Sequence, residues 1–189
     1  MNSSESSRKP ADDPYLNLAE HNRSMKDKRR IDGSPACNRA GRGASESFEE
    51  IALQVLRTTG LRVTMPRVQV IRTLGESNRA LSAYAIHERI HAGGGMIDVV
   101  SVYRILAMLQ SAGLVHHIGI VDGYIPCRLQ GDHDTECEHM VCAKCGCVTE
   151  LPLSSVARDA TTAQAKSVGF DPSSIKVELL GTCKHCAAG

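Results

Sequence analysis

Two cysteine pairs carry the clearest chemistry in this chain, Cys142-Ala143-Lys144-Cys145 and Cys183-Lys184-His185-Cys186. Two residues between thiols let a tight turn aim both sulfurs at one point, and two such turns complete a tetrahedral all-thiolate site for zinc. The pairs stand roughly forty residues apart, farther than in a compact zinc ribbon, so whatever folds between them is stapled at both ends. Two disulfides are the bland alternative. The N-terminus shows neither an apolar signal region nor a small-residue cleavage site, so the chain reads as cytoplasmic and its thiols as reduced. A redox dithiol would have no use for a second pair.

A second group of ligand-type residues lies upstream. His116 and Cys127 flank an Asp-Gly turn, and residues 131–139 (Gly-Asp-His-Asp-Thr-Glu-Cys-Glu-His) form a linker dense in metal ligands. Glu150 follows the first cysteine pair. Several bland readings apply here. His21, His87, His91 and His117 read as surface polar residues, Cys127 as a small buried hydrophobe, and Glu178 as strand surface. Cys37 and Cys147 are given no role.

What must position these residues is a modest chain. At 189 residues it allows one medium domain or two small ones, and two Phe, four Tyr and no Trp require an aliphatic core. The formal net charge of +1 announces no partner by itself, so charge has to be read locally. No apolar run approaches the length of a membrane span. Residues 1–47 are polar, without apolar periodicity, and are expected to be a disordered, partly basic extension.

From Phe48 the pattern turns helical. Phe48, Ile51, Ala52, Val55 and Leu56 share one face, and Gly60 ends that helix. Thr64 is placed to cap a second helix with Pro66 in its first turn and Val68, Val70, Ile71 and Leu74 buried. Ser82 opens a third, carrying Ala85, Ile86 and Ile90. Asp98 caps a fourth with Val99, Val102, Leu106 and Leu109. Residues 115–127 then read as a β-hairpin turning at Asp122-Gly123, where both turn positions favour positive φ. A helical core closed by such a hairpin is a winged helix-turn-helix, in which the fourth helix reads DNA. Past the linker come short strands at 139–141 and 148–151, a helix over 154–168 and a last strand at 175–180. The fold class is therefore α+β. The predicted organisation is a winged-helix domain (48–129), a ligand-rich hinge (130–138), and a small α/β dimerisation domain (139–189) stapled by the four cysteines. So small a unit exposes a sheet edge and an apolar helix face, which a second copy would cover, so a homodimer is expected.

Local charge supports a nucleic-acid partner. Between residues 57 and 104, Arg57, Arg62, Arg67, Arg72, Arg79, Arg89 and Arg104 face only Glu76, Glu88 and Asp98. Such a surplus suits a phosphate backbone. Off its apolar stripe the fourth helix offers Ser101, Tyr103 and Arg104, with chemistry for base edges and phosphates.

The motifs Leu61-Arg62-Val63-Thr64-Met65-Pro66-Arg67, Ser101-Val102-Tyr103-Arg104-Ile105-Leu106, the Cys-x-x-Cys-Gly of Cys142 to Gly146 and the closing Cys-x-x-Cys together resemble the ferric-uptake-regulator (Fur) superfamily of bacterial metal-responsive repressors. The resemblance covers about residues 48–186. It is nearest to the zinc-uptake-regulator (Zur) branch, on account of Cys127 and Ser82-Ala83-Tyr84. A thiolate after the hairpin favours zinc over the harder ions.

The resemblance implies a structural zinc on Cys142, Cys145, Cys183 and Cys186, and a regulatory zinc per protomer on His116, Cys127 and Glu150. His133 ranks first as the remaining ligand, then His139, then Cys137. It also implies DNA contacts through Arg67, Ser82, Tyr84, Ser101, Tyr103 and Arg104. The function implied is a zinc-responsive repressor that binds double-stranded operator DNA as a homodimer and controls zinc uptake genes, with no membrane and no small-molecule substrate. Other readings stay open: an iron or peroxide sensor of the same family, or a DNA-binding protein with structural zinc only. An enzyme is not expected, since no signature such as His-Glu-x-x-His occurs.

Overall fold

The structure, a computed structural model, describes residues 47–129 and 136–188. The expected extension up to residue 46, and His133 in the linker, lie outside the described residues. Four helices come first: α1 (Phe48–Thr58), α2 (Met65–Gly75), α3 (Ala83–Ala92) and α4 (Val99–Ser111). A two-stranded hairpin follows, β1 (Val115–Ile118) with β2 (Gly123–Pro126). The remainder is β3 (Cys137–Cys142), β4 (Val148–Pro152), α5 (Ser155–Ser167), β5 (Val177–Gly181) and a single turn, α6 (Lys184–Ala187). The architecture is α+β.

Caps set the helix starts. The Ser47 hydroxyl accepts the Glu50 N–H while the Glu50 carboxylate accepts the Ser47 N–H at 2.7 Å, a reciprocal box that satisfies two otherwise orphaned donors. Ser82 and Asp98 cap α3 and α4 by accepting the N–H groups of Ala85 and Ser101. Thr64 is different. It occupies the cap position of α2 in extended backbone, yet its side chain makes no capping bond, and Pro66 in the first turn starts that helix.

The core is aliphatic, as the composition requires. Leu56, Ile71, Leu74, Ile86, Leu106 and Leu109 are fully buried, each contributing about 1.5–3 kcal/mol by the area removed from water. In α4 the buried stripe is Val102, Ile105, Leu106 and Leu109, with Ile105 in place of the expected Val99. In α3, Ala83 is buried where Ala85 was expected.

The hairpin departs from the expected two-residue turn. Residues Gly119–Val121 form a 3-10 turn, Asp122 alone takes positive φ (47°), and Gly123 is already the partner of Ile118 in the ladder. Gly123 is glycine for a steric reason, because a Cβ there would meet the Ala80 Cβ at 2.9 Å. Ile118 and Ile125 of the hairpin are buried with Val141 and Val148 of the following sheet, so hairpin and sheet share a small apolar cluster.

That sheet has the order β4-β3-β5. The middle strand runs antiparallel to β4 and parallel to β5, so the expected β-α-β unit is a β-β-α-β arrangement with its first strand in the centre. β3 begins at Cys137, earlier than the expected 139, and takes in the end of the expected hinge. None of the residues of α5 is buried, and Val156, Val168, Phe170, Leu179 and Leu180 stand exposed. Among the described residues no helix is long and apolar enough to cross a membrane.

Candidate metal centres

The first centre forms where β3 and β5 end side by side. Cys142 closes β3 opposite Gly181 of β5, and the Ala143 N–H donates to the Gly181 carbonyl at 2.7 Å, bringing the two Cys-x-x-Cys turns together. Gly146 at φ +72° lets the first turn double back, its N–H donating to the Cys142 carbonyl. The second turn is α6, with Cys183 at its N-cap. One sulfur each from Cys142, Cys145, Cys183 and Cys186 lies within 4.8 Å of all the others. Cys145 Sγ and Cys183 Sγ are 3.8 Å apart, far beyond the ~2 Å of a disulfide. Burial raises the Cys142 thiol, but the N–H groups of Cys183, Cys145 and Lys144 and the Cys145 thiol outweigh it and lower it to about 6, while the neighbouring thiols push Cys186 up to about 12.

The second centre spans the hairpin and the sheet. His116 lies on β1, while His139 on β3 and Glu150 on β4 are register partners. Their ligand atoms also gather within 4.8 Å. His116 Nε2 is 2.8 Å and His139 Nε2 is 3.5 Å from Glu150 Oε1, and His139 is 2% exposed. Even so, His116 Nε2, both ring nitrogens of His139 and Glu150 Oε1 are buried without a hydrogen-bond partner of proper geometry. A polar atom left this way costs about 1–3 kcal/mol, so several on one point need a cause. A bound cation is such a cause, since two imidazoles and a carboxylate are metal ligands. The Glu150 carboxyl is pushed up by burial but more strongly lowered, to about 2, by the two imidazoles and the Arg128 N–H, which donates to its Oε2 at 2.7 Å.

Of the four residues foreseen for this centre, the structure brings together His116 and Glu150. His139, foreseen as a replacement for His133, is the third member. Cys127 stands outside the tight group but beside it, and burial together with the Glu150 charge pushes its thiol up to about 12. Cys137 also lies against Glu150 and is raised to about 11 by burial and that charge. No local sequence signal marks Arg128, yet its N–H holds Glu150, while its guanidinium donates to the Ser77 carbonyl and Asn78 Oδ1.

The residues foreseen on DNA occupy the helical part. Tyr84 and Tyr103 are exposed and meet edge to face with ring centroids 6.4 Å apart. Arg104 is exposed on α4, whereas Arg67 is half-buried and donates to the Arg62 carbonyl. Two hydroxyls already have partners: Ser82 caps α3, and Ser101 donates to Asp98 Oδ2 at 2.6 Å.

Residues 58–180 match the Ferric uptake regulator family. The chain is 32% identical over 135 residues to the Ferric uptake regulation protein of Legionella pneumophila, covering 70% of this chain and 96% of that one. It is 30% identical to its counterpart in Escherichia coli strain K12, covering 71% and 87%. Among solved structures, holo XcZur is similar with a TM-score of 0.67 at 26% identity, covering 77% of this chain and 100% of the other. A zinc uptake regulator complexed with zinc and DNA shares the fold, with a TM-score of 0.68 at 24% identity, covering 76% and 97%. The chain thus belongs to the ferric uptake regulator family of metal-responsive transcriptional regulators, proteins that are not enzymes, and its likeness reaches into the zinc-uptake branch.

Proposed function

We propose that this chain is a zinc-responsive repressor of zinc uptake genes in the cytoplasm, binding operator DNA as a homodimer when its regulatory site is filled. The observation that carries the reading is the buried convergence of His116, His139 and Glu150 with unsatisfied ligand atoms. In this reading Cys142, Cys145, Cys183 and Cys186 would hold one structural zinc per protomer. His116, His139, Glu150 and the neighbouring Cys127 would hold one regulatory zinc. Zinc(II) at the second centre would give the converging ring nitrogens and carboxylate oxygen a common partner, and would favour the Cys127 thiolate.

The chain's own residues do the rest. His116 belongs to the hairpin of the helical, DNA-binding part (48–129), while His139 and Glu150 belong to the dimerisation part (139–189), so filling the site fixes one arrangement of the two. α4 acts as the recognition helix of a winged helix, with Tyr84, Ser101, Tyr103, Arg104, Arg67 and Ser82 facing DNA. The exposed apolar side chains of α5 and β5 are the surface that a second copy would cover. Metal occupancy and operator affinity then rise together by linkage. The likeness to holo XcZur and the fold shared with a zinc uptake regulator bound to zinc and DNA support this reading.

A second reading has its own observation. The tight group is two imidazoles and a carboxylate with the thiol outside it, a set that also suits iron(II), and the sequence relatives are ferric regulators. Peroxide sensing would require a redox-active iron there, which a thiol at Cys127 disfavours.

One experiment tests the proposal: zinc per protomer after dialysis against a mild chelator, with promoter-DNA binding measured before and after adding zinc(II) or iron(II). One zinc retained, and DNA binding restored as a second zinc loads, is the expected result. Restoration by iron alone would move the assignment to iron. DNA binding indifferent to either metal would leave a repressor with structural zinc only.

A further inference from the structure

His139 is the register partner of both Glu150 on β4 and Glu178 on β5, so the three side chains stand in one row across the sheet. The hairpin touches both ends of that row. At one end His116 meets Glu150. At the other, Glu178 Oε1 accepts the N–H of Gly119 at 2.9 Å and Oε2 accepts the N–H of Ile120 at 2.8 Å. The spacings agree, since two strand steps of about 4.8 Å match three residues of about 3.3 Å each from 116 to 119. β1 and its turn therefore lie across the row and are fastened at both ends.

Glu178 is built for this contact. Its side chain is only 10% exposed, and Lys176 Nζ lies 2.6 Å from its carboxylate while also donating to the His117 carbonyl. Burial raises the Glu178 carboxyl, but the Lys176 ammonium and the two N–H donors outweigh it, and the group is lowered. A glutamate expected to be strand surface is instead tucked beneath the hairpin turn.

We infer that Glu178 is a positioning residue for metal sensing, a clasp of two direct hydrogen bonds that holds the 119–121 turn on the sheet and so keeps His116 over Glu150 and His139. The inference rests on the sensor reading of that site. A ligand set ordered during folding binds metal more tightly, because binding no longer bears the cost of ordering it. Glu178 thus sets the affinity of a centre it does not touch through metal.

The test uses the full-length dimer and Glu178→Gln, which keeps the size but turns one acceptor into an amide donor facing an N–H. Three quantities are read: zinc(II) affinity of the regulatory site against a competing chelating dye, zinc retained after mild chelation, and hydrogen exchange at the Gly119 and Ile120 amides. The expected result is one retained zinc and an intact dimer, faster exchange at both amides, and regulatory zinc affinity lowered about tenfold. Lys176→Met leaves both N–H bonds in place and should weaken zinc binding less, in the same direction, which keeps the test alive if the glutamine variant folds poorly. Faster exchange with unchanged zinc affinity would overturn the inference, as would unchanged exchange. A wild-type dimer that takes up only one zinc per protomer would sink the sensor reading itself, before any variant is compared.

Discussion

The two ligand clusters are built over different distances, and in the proposed reading the difference separates permanence from response. The four cysteines come from two turns at the adjacent ends of parallel neighbouring strands, within one small sheet. His116, His139 and Glu150 come from a hairpin on the helical part and from two strands of the sheet. In the proposed reading, a site closed inside one sheet behaves as part of its fold, whereas one shared between hairpin and sheet reports how they are placed and can pass occupancy on to a DNA-reading helix.

Breaking the first cluster should have the largest effect. Cys183→Ala is expected to lose its zinc and with it the folded dimer, since structural zinc contributes roughly 10–16 kcal/mol of folding free energy in small domains. Zinc content and sedimentation would show it, and a variant that stayed a folded dimer would erase the contrast drawn above. Glu150→Ala comes next. It should keep one zinc and the dimer while its DNA binding no longer rises with zinc, a regulatory affinity loss of at least about 100-fold.

Cys127→Ala and His139→Ala sharpen the second cluster further. Each is expected to abolish zinc-dependent repression and leave dimerisation intact, with regulatory affinity down about 10–100-fold. Normal zinc dependence in Cys127→Ala, alongside loss in His139→Ala, would identify a histidine–carboxylate centre with Cys127 outside it. The smallest effect concerns caps. Ser82→Ala should cost about 1 kcal/mol in thermal melts, while Thr64→Ala, lacking any capping bond to lose, should stay within about 0.5 kcal/mol.

Local chemistry explains what could be read in advance. The cysteine turns were legible because their geometry is carried by two-residue spacing, and the helices because caps and apolar periodicity are written within a few residues of where they act. His139 ranked below His133 because its qualification is non-local. Only the pairing of β3 with β4 sets it opposite Glu150, and strand register is not printed in either strand alone. The same holds for Glu178, whose partners lie nearly sixty positions upstream. The hairpin was foreseen but its turn was not. Gly123 looked like a turn residue for its φ, and is instead a ladder residue kept small by Ala80.

Helix α5 buries none of its residues, so its own packing gives it little hold on the described chain. It lies inside the segment that Cys142 and Cys183 join. Closing a loop of that length removes conformational freedom from the denatured ensemble, worth roughly 4 kcal/mol by the estimate used for a covalent cross-link. With zinc joining the four cysteines as proposed, part of what keeps α5 folded would thus act on the unfolded chain rather than through the packing of the helix itself.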